Sequence, residues 1–239
     1  MPKNFKIAFF ELEPWEKEYF LKNLKDCNIQ FIDDHLNENN VSQIKDADAV
    51  GVFIYSVVNK KILEKLPNLK LIVTLSTGFD HIDLRGCKKR EIIVCNVPHY
   101  GENTVAEHTF ALILSLTRMI HKAYERTIRG DFSIGGLRGT DLRGKILGVI
   151  GTGSIGQHVV RIAKCFEMKV IAFDKFRNLE LGKRLVFKYV SLNNILKNSD
   201  IITPHNAFNS WEALNRILDT TILNINSFLK KKPINLVPI

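Results

Sequence analysis

The sequence predicts an α/β protein built on parallel sheets. Three observations predict it. Short apolar runs alternate with segments of helical spacing through the first hundred residues. A glycine-rich turn at 151–156 joins an apolar run to a helical one. No apolar run approaches the roughly 18 residues a membrane span needs, so these runs belong to a folded core; the longest candidate is FALILSL.

Taken in order, KIAFF (6–10) is a strand, and EPWEKEYFLKNLKDC (13–27) has helical spacing through Trp15, Tyr19, Leu21 and Leu24. IQFID (29–33) and DAVGVFI (48–54) are strands, and NKKILEKLPN (59–68) is a short helix closed by Pro67. LKLIVTLS (69–76) is a buried strand, HIDLRGCKKRE (81–91) a helix and IIVCNV (92–97) a strand. Short apolar strands alternating with helices imply a parallel sheet covered on both faces. This region reads as one flavodoxin-like unit. Residues 102–132 form one long helical pattern, apolar almost all round from Thr109 to Leu116, which predicts burial between two layers. GGLRGTDLRGK (135–145) is a glycine-rich connector.

Bulk properties narrow the function classes. At 239 residues, 45% hydrophobic and 25% charged, the balance is that of an ordinary soluble globular protein. The net charge of +9 is spread along the chain, with one compact run at 229–233 and no aromatic–basic interleaving, which argues against a nucleic-acid partner. Cys27, Cys87, Cys95 and Cys165 show no metal or CxxC spacing. With no signal-peptide layout at the N-terminus, they point to a reducing cytoplasm and to no metal site.

The segment 145–174 carries the strongest chemical signal. A strand at Ile146–Ile150 leads into Gly151-Thr-Gly153-Ser-Ile-Gly156, then a helix, then a strand at 170–173 ending at Asp174. In such a βαβ unit Gly151 permits the tight turn, Gly153 lets backbone approach a pyrophosphate, and Gly156 allows close helix–strand packing. The helix N-terminus offers unpaired N–H groups to phosphate. Asp174 accepts from the adenosine ribose hydroxyls and repels a 2′-phosphate, so NAD is expected over NADP, with Lys175 and Arg177 weakening that preference. A strand at 185–191, a helix at 192–199 and a strand at 200–203 follow. The second half of a nucleotide fold does not. One helix, 209–231, and a tail complete the chain.

STGFDHIDL (76–84), VCNVPHYGENTVAEHTFALIL (94–114), LRGKILGVIGTGSIG (142–156) and TPHNAFNS (203–210) together resemble the D-isomer-specific 2-hydroxyacid dehydrogenases, the D-lactate dehydrogenase branch above all. The resemblance implies a substrate domain at 1–101, a truncated Rossmann NAD-binding domain at 102–203 and a C-terminal helix, 204–239, returning to the substrate domain. It implies hydride transfer between a small 2-hydroxy or 2-oxo acid and NAD. It places Thr77 and Gly78 at the substrate carboxylate, Tyr100 in the substrate pocket, Thr104 near the nicotinamide, and Ser154 and Ile155 at the pyrophosphate. Ser154 departs from the long basic side chain often found there. The family's dimer contact corresponds to the helix at 102–128.

The family's proton donor matches His205. Its substrate-gripping Arg and the Glu that partners the His lie in motifs missing from this sequence, which implies an internal deletion after Thr203 and impaired turnover. Arg138 and Arg143 are in the connector and are not expected to substitute. Two roles remain open for His205: general acid/base, with an ordinary value near 6.5 that suits proton exchange, or an exposed residue at a strand end near the adenine side. The alternative for the whole chain is a non-catalytic NAD-binding or dimerising module. The deletion is further expected to leave the first nucleotide-sheet strand as an unpaired edge.

Overall fold

The computed structural model describes residues 5–202 and 210–238. The chain divides into two compact units, Met1–Tyr100 with Trp211–Ile239, and Gly101–Ser210.

The first unit runs β1 (Phe5–Phe10), α1 (Pro14–Asn23), β2 (Cys27–Ile32), β3 (Ala49–Val52), α2 (Lys60–Glu64), β4 (Leu71–Thr74), α3 (Leu84–Lys89) and β5 (Ile93–Cys95). The strands are all parallel in the order β2-β1-β3-β4-β5, the flavodoxin-like doubly wound order. Side chains alternate between faces along a strand. Ala8, Phe10, Val50 and Ile72 therefore join one buried cluster, while Ile7, Phe9, Ala49 and Leu71 join another. Pro14 and a Glu13–Glu16 capping box start α1, and Asp83 caps α3 by accepting from Gly86 N–H at 2.9 Å.

The second unit runs α4 (Glu102–Thr117), α5 (Ile120–Thr127), β6 (Ile146–Ile150), α6 (Ser154–Cys165), β7 (Lys169–Phe173), α7 (Leu179–Arg184), β8 (Lys188–Tyr189) and α8 (Leu192–Asn198). Its sheet is parallel, in the order β6-β7-β8. The single long helix expected over 102–132 is two helices. Met119 between them has φ 55°, a left-handed conformation that ends the first helical path. The burial expected all round from Thr109 to Leu116 is also corrected. Thr109, Phe110 and Ile113 are buried, with Phe110 and Ile113 in a cluster shared with α6, whereas Leu116 is 63% exposed. One face of α4 is covered, not all of it.

The edge of β6 departs from expectation as well. Of the strand expected at 200–203, the described residues form a parallel bridge between Ile201 and Leu147, and Thr203 lies outside them. Asp200 and Ile201 N–H donate to Ile146 O at 2.9 and 3.3 Å, Gly148 N–H donates to Ile201 O at 3.1 Å, and the Asp200 carboxylate accepts from Ile146 N–H at 2.7 Å. These bonds pair the Ile146–Gly148 end of β6, where the sequence predicted an unpaired edge.

The chain then returns to the first unit through α9 (Trp211–Leu229). Ile217, Leu218 and Ile225 enter the second buried cluster, and Trp211 meets Trp15 with ring centroids 5.2 Å apart. The segment read from sequence as a tail forms an antiparallel bridge from Leu236 to Cys95, with Val237 N–H donating to Val94 O at 2.9 Å.

Candidate functional site

The glycine turn forms as its spacing predicts. Gly151 has φ +92°, which L side chains rarely adopt, and its N–H donates to Phe173 O at 2.8 Å. A Cβ on Gly156 would lie 2.1 Å from Gly151 O, so only glycine lets α6 approach the turn this closely. Gly153 is the N-cap of α6 in extended conformation, and no atom lies within 4 Å of its Cβ position. Its exposed backbone therefore faces open space. Ser154, Ile155 and Gly156 form the first turn of α6, where N–H groups have no partner in the helix itself and the dipole is positive.

Asp174 follows directly on β7, half-exposed. Its Oδ2 accepts from Thr152 N–H at 2.7 Å and Thr152 Oγ1 at 2.8 Å, and its Oδ1 accepts from Phe176 N–H at 2.9 Å. The Thr152 and Phe176 backbone bonds, then the Thr152 hydroxyl, hold its carboxyl below the usual carboxylate range. Since the Thr152 proton goes to Asp174, Tyr189 OH donates to Thr152 Oγ1 across 2.9 Å. Thr152 and Tyr189 were missed at the sequence level. The register that pairs Ala172 with Tyr189 brings the tyrosine in. Oδ1 keeps room for another donor.

Thr104 is buried in the first turn of α4, its Oγ1 3.4 Å from Ser210 Oγ. A His158–Glu102 contact of 3.9 Å joins α6 to that same turn. The cofactor-directed candidates thus all fall in one unit.

The other candidates fall in the first unit. Thr77 and Gly78 are exposed on the loop that leaves the carboxyl end of β4. Thr77 Oγ1 donates to Val97 O at 2.9 Å, and Asn96 Nδ2 donates to Thr77 O at 2.9 Å. Tyr100 is half-buried against the second cluster, which raises its phenol, and its carbonyl accepts from Arg216 Nε at 2.7 Å. In the same unit Glu11, with φ 60°, accepts from Phe53, Tyr55 and Ser56 N–H at 3.1, 2.9 and 3.1 Å, and from the Ser56 hydroxyl. No sequence motif marked that brace. His205 lies outside the described residues. Arg143 pairs with Glu167 at 2.9 Å. Cys87 and Cys95 are buried, which pushes both thiols up to about 11. Among the described residues no cluster of metal-ligating side chains occurs, and no helix is long and apolar enough to cross a membrane.

The family's sequence model for the D-isomer specific 2-hydroxyacid dehydrogenase catalytic domain matches residues 7–238. The chain belongs to the D-isomer specific 2-hydroxyacid dehydrogenase family. It is 38% identical over 204 residues to a 2-hydroxyacid dehydrogenase homolog of Haemophilus influenzae, covering 84% of this chain and 61% of that protein. It is 35% identical over 208 residues to the D-lactate dehydrogenase of Escherichia coli, covering 84% and 62%. The chain thus aligns with less than two thirds of the length of these curated relatives. Among solved structures it is similar to apo D-lactate dehydrogenase from Escherichia coli, with TM-score 0.84 and 26% identity over 98% of this chain and 100% of that one. It is similar also to Aquifex aeolicus D-lactate dehydrogenase complexed with NAD and lactic acid, with TM-score 0.85 and 25% identity over 95% and 96%. This family membership agrees with the parallel α/β architecture of both units.

Proposed function

We propose that this family member is an NAD-linked oxidoreductase of small 2-hydroxy and 2-oxo acids, of D-lactate/pyruvate type, with turnover well below that of an intact family design. The observation that carries the reading is the turn at Gly151–Gly156, with open space over Gly153, the first turn of α6 beside it and Asp174 at the end of β7. The space and donors fit a dinucleotide. Ser154 and Ile155 N–H would bind its pyrophosphate, Asp174 its ribose hydroxyls, and Thr104 would lie near its nicotinamide. Once bound, the nicotinamide supplies a hydride donor or acceptor. Thr77 and Gly78 would hold the acid's carboxylate, Tyr100 would line its pocket, and His205 would exchange the proton.

The Gly101–Ser210 unit is the proposed cofactor domain and the other the substrate domain. Reduced turnover follows from the sequence. The Arg and Glu motifs of the family are absent, so the bidentate grip on the substrate and the partner of His205 are lost. The internal deletion is supported by the sequence, in which TPHNAFNS (203–210) runs directly into the C-terminal helix with neither motif between them. A homodimer through 102–128 is supported by the exposed Ile120, Tyr124 and Ile128 of α5 and its C-terminal end. Four free cysteines suit a reducing cytoplasm.

The test is calorimetric titration with NADH. One-site binding is expected, and Gly153→Ala, which the open space tolerates, should fold normally and lose it. A folded wild-type chain that binds no NADH sinks the cofactor reading. NADH oxidation with pyruvate at ordinary enzyme rates would refute the impairment. Binding without measurable turnover favours the second reading, a non-catalytic NAD-binding or dimerising module, which the missing Arg and Glu motifs support.

A further inference from the structure

The carboxyl end of β4 carries a polar chain that the proposed chemistry does not use. Thr74 and Ser76 are buried, and their hydroxyl oxygens lie 2.7 Å apart. Ser76 Oγ is 2.7 Å from Gly78 O, and Thr74 Oγ1 is 3.2 Å from His81 Nε2. Counting protons assigns every donor. The Gly78 carbonyl only accepts, so the single Ser76 hydroxyl proton goes to it. Thr74 must then donate to Ser76, which leaves Thr74 Oγ1 as the acceptor from His81. His81 therefore carries its proton on Nε2.

The chain ends at the loop assigned to substrate. In a trans peptide the N–H points away from its own carbonyl, and no cis peptide occurs among the described residues. Asn96 holds the Thr77 carbonyl and Ser76 holds the Gly78 carbonyl. The opposed N–H groups, those of Gly78 and Phe79, have no acceptor among the described residues. The Asp80 carboxylate, 3.9 Å from the Cβ position of Gly78, is the acidic neighbour against which these donors must work.

We propose that His81 is a positioning residue, which through Thr74 and Ser76 fixes the Gly78 peptide so that the Gly78 and Phe79 N–H groups jointly receive one small carboxylate. The proposal rests on the reading that the Thr77–Gly78 loop meets the substrate carboxylate, and it sharpens that reading by making the Gly78 and Phe79 N–H groups of this loop the donors. Burial lowers the His81 imidazole, opposed by the Glu11 and Asp80 charges, so at neutral pH the ring is neutral. Protonation at Nδ1 in acid leaves Nε2 a donor, so the relay survives it.

Nitrogen-15 NMR of the full chain tests the relay without substrate. The expected spectrum has neutral His81 as the Nε2–H tautomer. Thr74→Val and Ser76→Ala should each move the Gly78 and Phe79 amide signals and weaken pyruvate binding about tenfold. His81→Gln, which keeps a donor, should retain more affinity than His81→Leu. An Nδ1–H tautomer, or amide signals unmoved in both hydroxyl variants, overturns the relay. An Nε2–H tautomer with Gly78 and Phe79 amides indifferent to pyruvate overturns the carboxylate reading instead.

Discussion

The two units use the same layered architecture but bury it differently. The five-stranded sheet of the first has a buried cluster on each face, closed on one side by α9. The three-stranded sheet of the second has one large cluster, and most of the exposed large apolar side chains among the described residues lie there, Ile150, Phe176 and Val186 included. Burial of apolar area is the main stabilising term. The difference therefore teaches that stability is concentrated in the first unit, while the second spends its geometry on a turn of backbone donors. Both tryptophans, Trp15 and Trp211, belong to the first unit. Tryptophan fluorescence thus reports that unit alone, and far-UV circular dichroism reports both. Non-coincident urea transitions, with dichroism falling first, are expected.

The largest break in this comparison is Phe9→Ala. Phe9 is fully buried and stacks on Phe20 at 4.2 Å. Its removal should cost about 3–5 kcal/mol in the fluorescence-detected transition. Equal loss in the phase that fluorescence does not see would mean the units unfold together. Gly156→Ala is the counterpart in the second unit. Its methyl meets the Gly151 carbonyl, so the early dichroism phase should weaken by about 1–3 kcal/mol while the fluorescence midpoint stays put.

The smallest effect is in pH, and it separates the units by sign and window. His81 is lowered from 6.5, so the unfolded chain binds the proton first, and the first unit loses stability as pH falls below that value. Asp174 is lowered from 3.8, so its contribution is intact above that pH and lost as pH falls through the lower folded value. Midpoints followed by both probes from pH 7 to 3 should show fluorescence shifting first. A dichroism phase that weakens already near pH 6 alone would contradict the assignment.

Much of this was legible in the sequence. Buried parallel strands read as continuous apolar runs, so β1, β3, β4 and β6 are found within a few residues of their expected bounds. The turn at 151–156 was legible because glycine is demanded by conformation at 151 and by close approach at 156. What the sequence hid depends on pairing at long range. Tyr189 reaches Thr152 only through strand register, and the Leu236 bridge has no local signature. The break at Met119 was hidden because the apolar spacing runs straight through it, and nothing in Ile201 announces that it will cover an edge.

The place of α9 in the chain has a consequence for synthesis. The first unit begins the sequence, yet one side of its sheet waits for residues that follow the whole of the second unit. Domains fold as they leave the ribosome, amino-terminal ones first. Here that order is reversed. The contiguous unit can close while the earlier one still shows Leu71 and Val73 of β4 on a face that α1 alone does not complete, so the nascent chain holds a sticky surface for the time it takes to translate the second unit.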